Sequence, residues 1–371
     1  MERYRKRRLA GPFRVFSSAF VSLPGNVVMQ LFELTRALVD IESITGNEEA
    51  IGLRLLDYVS ALAARYGGRA ERWDVAPRRF NVFAAFGDRP VVTLTTHMDT
   101  VPPFTCLYED SEFIWGRGAC DTKGIIAAML KAAEALLESG QRNFGLLFVV
   151  GEERDSAGAY YAATHPQGSR YLINGEPTGN RLALGSKGAL RYKIVAGGRM
   201  AHSAYPHLGS SAIHGLLDCL NEIRNIPMPV DGLLGSGTLN IGTIAGGRAP
   251  NVVADEAQAE ILIRLVADSA PIKRAVAKAV MGRAQANEVL EIPPLRLGSL
   301  PGIDPTVVAY TTDIPAFGGA WGQPFLIGPG SITVAHTLEE RVPKRELEAA
   351  VGIYQEMVVQ LLNMDGLCKT E

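Results

Sequence analysis

The sequence predicts an α/β protein with a mixed, largely parallel sheet and a smaller α+β unit inserted into it. Three observations lead there. Apolar runs of strand length alternate with helical periods between residues 81 and 177, the order that builds parallel sheets. From residue 188 to 297 the order becomes β-α-β-β-α-β, the ferredoxin-like split unit. The chain has 371 residues, more than one hydrophobic core ordinarily serves.

Residues 1–28 stand outside this pattern. MERYRKRR is basic, and the weakly apolar stretch after it is broken by Ser17, Ser18, Ser22 and Pro24. The segment reads either as a targeting sequence or as an extension from an upstream start, with the fold beginning near Met29. Residues 29–50 carry Leu31, Leu34, Leu38 and Val39 at helical spacing, in a helix expected to stop before Thr45-Gly46. A second helix is expected over 49–65. Strands are expected at 81–87 and 90–99, a buried helix at 124–139, and strands at 143–153 and 171–177. The continuous apolar run of 143–153 is of the kind covered on both faces. Within the inserted unit, strands are expected at 188–198, 237–247, 252–266 and near 290–297, with helices at 209–224 and 270–286. A loop-rich stretch over 300–336 precedes a final helix at 343–363, opened by Pro343, which suits a first helical turn.

Composition excludes several classes. Hydrophobic residues are 47%, charged residues 20% and the formal net charge is -2, an ordinary soluble balance without a basic footprint for nucleic acid. No segment reaches the roughly 18 apolar residues of a membrane helix. Cys106, Cys120, Cys219 and Cys368 form no CxxC pair and no disulfide framework, so a reducing cytoplasm is the expected location.

The chemistry gathers where strands end. His97, in TTHMDT, follows an apolar run, and Asp99 two residues on shares its face. Alone, His97 is better read as a structural histidine hydrogen-bonded at a strand end. Asp121 lies in the glycine-rich WGRGACDTKG before a helix, Glu152 and Glu153 end the 143–153 strand, Glu176 lies in NGEPT, and His336 lies in GPGSITVAHTLEE. GEE alone also reads as an exposed acidic turn. Together these residues put two histidines and four or more carboxylates on the sheet edge where α/β proteins bind ligands. Mixed imidazole and carboxylate donors suit zinc, cobalt or manganese, and one carboxylate can bridge two ions. A cation pair would relieve the repulsion between adjacent glutamates. One glutamate could then be a ligand and its neighbour a base, the two pointing apart on extended chain. Cys120 has no base linked to it in sequence. His165, His207 and His214 read as surface histidines.

HMDTVP, WGRGACDTKG, GEE, NGEPT, AHSAYPH and GPG…AHTLEE, in this order, resemble the M20 metallopeptidase and deacylase family over residues 29–371. The resemblance implies a zinc-exopeptidase-like catalytic domain from 29–186 and 296–371, with a ferredoxin-like lid and dimerisation domain over 187–295. It implies two Zn2+, or Co2+ or Mn2+. His97 and Glu176 would bind one ion, Glu153 and His336 the other, and Asp121 both, with a cis peptide after it. Glu152 would be the general base and Asp99 would orient His97. His202 in RMAHSAYPH would reach a partner subunit's site and donate to the oxyanion. Asn251 and Arg264 would hold a substrate carboxylate; without the resemblance Arg264 reads as a surface charge on a strand. The implied activity is amide hydrolysis of an N-acyl amino acid or short peptide by water activated at the metals. Acetylornithine deacetylation in amino-acid biosynthesis leads, with succinyl-diaminopimelate desuccinylase and dipeptidase or carboxypeptidase as alternatives. A remote alternative is a non-catalytic metal-binding homologue. A homodimer is expected, without nucleic-acid or membrane partners.

Overall fold

The computed structural model describes residues 29–367; the expected extension 1–28 and Cys368 lie outside the described residues. In chain order, α1 (Leu31–Val39), α2 (Glu49–Tyr66), β1 (Gly68–Ala76), β2 (Arg79–Phe86) and β3 (Val92–His97) are followed by α3 (Lys123–Glu138), β4 (Phe144–Val149), α4 (Ala157–Ala163) and β5 (Tyr171–Asn174). Next come β6 (Gly188–Gly197), α5 (Ala212–Arg224), β7 (Thr238–Gly246), β8 (Glu256–Leu265), α6 (Ala270–Val280) and β9 (Gln285–Ile292), and then β10 (Gln323–Leu326) and α7 (Lys344–Leu367).

The central six-stranded sheet has the order β1-β2-β4-β3-β5-β10. The last four are mutually parallel, and the β1–β2 hairpin joins antiparallel at one edge. Every residue of β2, β3, β4 and β5 is buried, because both faces are covered. On one face Ile125, Met129 and Leu130 of α3 meet Tyr354, Met357 and Leu361 of α7 in the main core. On the other, Ala159 and Ala162 of α4 pack with Phe83, Leu147 and Trp321. The Trp321 indole N–H donates to the Ala162 carbonyl at 2.9 Å, so this ring is buried with its one polar atom satisfied.

Residues 188–292 form a second, antiparallel sheet in the order β7-β8-β6-β9. α5 and α6 cover one of its faces, with a core of its own that includes Leu190, Ile194, Leu216, Ile261 and Val276. Burial alternates along β8, which leaves the other face of the sheet open.

Several expected elements differ. The helix expected to run from 29 to just before Thr45 spans only Leu31–Val39, and Ile44 beyond it bridges Thr100. β1 was not expected: GRAERWDVA is polar at alternate positions, as suits an edge strand with one wet face. β4 stops at Val149, and Gly151, at φ +87°, turns the chain. Glu152 and Glu153 therefore sit in a turn and not on extended chain. α5 begins at Ala212, where the Ser211 hydroxyl accepts from the His214 N–H. α6 stops at Val280, before Gly282 at φ +74°. Pro343 ends a short strand, Arg341–Pro343, which pairs with Phe113–Trp115 ahead of α7.

One buried ion pair joins the first helices to the sheet. Arg79 donates through Nη2 to Glu48 Oε1 at 2.7 Å and through Nε to both carboxylate oxygens at 3.1 and 3.0 Å, and the Glu48 side chain is 0% exposed. Glu48→Ala is expected to destabilise the protein by about 3–5 kcal/mol, because it strands a buried guanidinium. Glu48→Ala with Arg79→Met is expected to recover most of that loss in urea unfolding.

Candidate metal centre

Strand register brings the centre together. His97, the last residue of β3, pairs with Val149, the last residue of β4. Thr95 pairs with Asn174, the last residue of β5, so two residues further along each chain Glu176 falls level with His97. The carboxyl ends of three parallel strands thus open at one height, where α/β sheets bind ligands. Asp121 arrives from the turn before α3, and its peptide bond to Thr122 is cis. His336 arrives from the loop after β10 with φ +62°, an uncommon conformation for a residue with a side chain.

The geometry around Asp121 is two-sided. His97 Nε2 lies 3.0 Å from Asp121 Oδ1, and His336 Nε2 lies 3.2 Å from Asp121 Oδ2. His336 Nε2 also lies 2.9 Å from Glu153 Oε2. One donor atom from each of His97, Asp121 and Glu153 falls within 4.8 Å of the others. Glu176 is buried, and its Oε1 has no hydrogen-bond partner, an exception that calls for an explanation in a folded protein.

Asp99 does more than face His97. His97 Nδ1 lies 3.0 Å from the Asp99 backbone carbonyl and 3.5 Å from its carboxylate, so the carbonyl is the closer partner. The carboxylate accepts from the Gly151, Glu152 and Glu153 N–H groups at 3.0, 3.1 and 3.2 Å and from the Thr45 hydroxyl at 2.8 Å. It therefore ties the end of β3 to the turn that carries both glutamates.

The electrostatics favour positive charge. Burial pushes the Glu152 and Glu176 carboxyls well above the usual range; the His97 charge opposes this, and neighbouring carboxylates add to it. Glu153 is raised for the same first reason. Burial opposes a charged His97, yet hydrogen bonds to Asp121 and Asp99 raise it well above its ordinary value. Hydrogen bonds to Asp121 and Glu153 raise His336 to about 10. Asp121 is held low despite burial, by its hydrogen bonds to His336 and His97. Hard oxygen and imidazole donors that compete for protons in this way, with a bare buried oxygen on Glu176, fit a divalent cation.

The remaining expected residues lie elsewhere. His202 is exposed, forms an isolated antiparallel bridge with Val252 and accepts from the Ala204 N–H through Nδ1 at 3.1 Å. The Ser203 N–H donates to the Asn251 carbonyl at 3.0 Å, so His202 and Asn251 lie side by side. Arg264, on β8, lines a groove of about 410 Å³ together with Arg191, Asn240, Glu260 and Thr311. Among the described residues, no hydrogen bond or ion pair joins His202, Asn251 or Arg264 to the cluster.

Two residues near the site gave no signal in sequence. Asp313 is 2% exposed, and neither carboxylate oxygen makes a hydrogen bond of good geometry; burial raises it to about 7 against the nearby Ser156 hydroxyl, which lowers it. Tyr310 donates to the Pro177 carbonyl at 3.2 Å, next to Glu176. Both belong to AYTTDIPAF, which has no metal-ligand spacing.

Residues 93–360 match peptidase family M20/M25/M40. A peptidase M20 domain-containing protein of Schizosaccharomyces pombe is 38% identical over 89% of this chain and 84% of its own. The chain belongs to that family. A probable carboxypeptidase of Aspergillus flavus is 36% identical over 90% of both chains. The solved structure of YXEP from Bacillus subtilis, described as a dinuclear metal binding peptidase of the M20 family, superposes with a TM-score of 0.65 at 16% identity and covers 90% of this chain and 98% of that one. This M20 member is a hydrolase of carbon–nitrogen bonds. No helix among the described residues is long and apolar enough to cross a membrane.

A cation bound by the folded state alone stabilises it by about 2.7 kcal/mol at a hundred times its dissociation constant. Zinc, cobalt or manganese added to chelator-treated protein is therefore expected to raise the melting temperature. Asp121→Asn is expected to abolish most of that rise in a thermal-shift titration.

Proposed function

We propose that this hydrolase cleaves the amide bond that joins an acyl group to an amino acid with a free α-carboxylate, and that the acyl group is peptidyl, as in a carboxypeptidase. Two divalent ions, zinc with cobalt or manganese as substitutes, would be held by His97 and Glu176 on one side and by Glu153 and His336 on the other, with Asp121 bridging. The observation that carries this reading is that Asp121 turns one oxygen to His97 and the other to His336. Bound there, the ions supply Lewis-acid polarisation of the scissile carbonyl and bring the pKa of a water down toward about 7.

The chain's own residues do the rest. Glu152 takes the proton of the attacking water and returns it to the leaving amine. Its carboxylate has no hydrogen bond or ion pair among the described residues, so both oxygens are free for that work. Asp99 holds the Glu152 backbone, and so the direction of the base, through the 3.1 Å bond to its N–H. Arg264 offers the substrate α-carboxylate a two-pronged grip, with Asn251 beside it. His202 donates to the developing oxyanion.

Acetylornithine deacetylation uses the same bond and the same residues and differs in the acyl group alone. The Aspergillus relative favours the peptidyl reading. The 187–295 unit would be the lid and the homodimer contact, since His202 is exposed on its own chain and unconnected to its own cluster. The free cysteines Cys106, Cys120 and Cys219 support a cytoplasmic setting.

The direct test is hydrolysis of dipeptides, their C-terminal amides, N-acetylornithine and N-succinyl-diaminopimelate by metal-loaded protein. Dipeptides are expected to be cleaved and their amides not; equal cleavage of the amides would sink the carboxylate requirement. Glu152→Gln is expected to lower kcat by about 10²–10⁴-fold with metal content unchanged. If His202 serves the neighbouring subunit, a re-equilibrated equal mixture of Glu152→Gln and His202→Ala proteins, each inactive alone, regains about a quarter of wild-type activity. A mixture that stays inactive while subunits exchange excludes action between subunits.

A further inference from the structure

We propose that Glu340 is a positioning residue for the cation site built by Glu153 and His336, and that it sets that site's affinity by locking the bridging Asp121 to the loop carrying His336. This rests on the two-ion reading above.

Glu340 is 2% exposed, and both of its oxygens are in use. Oε1 accepts from the Gly118 N–H at 2.8 Å and from the Asp121 N–H at 3.3 Å. Oε2 accepts from Arg117 Nη1 at 2.5 Å, and Arg117 Nε is fixed on the Pro103 carbonyl at 3.2 Å. The Glu340 backbone carbonyl accepts from the Gly116 N–H at 3.1 Å. One residue therefore grips the Gly116–Asp121 loop at its start, middle and end. It lies four positions after His336 on the same chain segment, so it also fixes how far His336 stands from Asp121.

The two cation sites depend on Glu340 unequally. His97 ends a fully buried strand, and the Thr122 hydroxyl donates to its carbonyl at 2.5 Å. Glu176 stands two residues beyond β5. Neither touches Glu340. His336 belongs to a loop, with a side chain 51% exposed and a backbone at φ +62°, a conformation that persists only where its surroundings impose it. Glu340 touches no reacting atom and no proposed ligand side chain, so it would act through Asp121 and His336 alone.

The test is calorimetric titration of metal-free protein with zinc, with metal content after dialysis as a second readout. Glu340→Gln keeps the volume and loses the charge. Glu340→Asp keeps the charge and shortens the reach. Wild type is expected to take up two ions. Each variant, shown folded by circular dichroism, is expected to bind the second ion roughly 10- to 100-fold more weakly, the usual effect of losing an outer partner of a ligand, and the first with a much smaller loss, because His97 and Glu176 are held by strands. Leu216→Ala, in the separate core of the 188–292 unit, is expected to leave both affinities unchanged. Folded variants that bind both ions like wild type, or that lose both equally, overturn the proposal. So does a Leu216→Ala protein that reproduces the second-site loss, or a failure of both Glu340 variants to fold. A wild type that binds fewer than two ions overturns the two-ion reading itself, a result distinct from all of these.

Discussion

The burial of several carboxylates at the end of one sheet is the constraint on which the rest of the structure depends. Asp99, Asp121, Glu176 and Asp313 are all 5% exposed or less, and Glu152 and Glu153 stand in the turn beside them. A buried carboxylate needs a partner, and unpaired like charges cost most where water is excluded. His97 and His336 supply some compensation and are pulled toward their charged forms by doing so. Divalent cations supply far more. The same residues that make the apo arrangement costly thus make cation binding favourable, and that free energy is also folding free energy.

What permits the crowding is rigidity beneath it. β3, β4 and β5 are buried on both faces and locked in parallel register, so the residues at and just beyond their ends have little freedom to spread apart. The hairpin edge and the helices on either face contribute no ligands; they keep the strand ends from moving. The 188–292 unit has a separate core, so its open sheet face and the groove at Arg264 can vary in sequence without disturbing the metal centre.

Much of this was legible in the sequence because apolar runs and strand-end acids are local signals. FGLLFV and VTLTTH announce buried strands, and the β-α-β-β-α-β order of the inserted unit follows from periodicity alone. His97, Asp121, Glu153 and His336 were found at strand ends and turns, and the structure brings them together. The misses share one physical cause. The position of Glu152 and Glu153 in a turn depends on Gly151 and on the three N–H bonds to Asp99, which are contacts across more than fifty residues of chain. β1 was hidden because an edge strand with a wet face reads as polar. Asp313 and Tyr310 reach the site through a loop whose path no periodicity encodes.

The acids of the site divide by what their oxygens face, and residue type does not reveal that division. Asp99 and Glu340 are saturated: backbone N–H groups, a hydroxyl and a guanidinium take up their acceptor capacity. Such carboxylates have little acceptor capacity left to give to a cation, and their hydrogen bonds hold loops in place. Glu176 and Asp313 are bare by comparison, with buried oxygens that lack donors, and the Glu152 carboxylate makes no hydrogen bond among the described residues. A bare buried carboxylate is costly in the fold and useful in the chemistry, because a cation, a water or a substrate can complete it. The saturated acids make the bare ones possible. Asp99 holds the turn that carries Glu152, and Glu340 holds the loop that carries Asp121, so two of the acids proposed for the chemistry are each held in place by a saturated one.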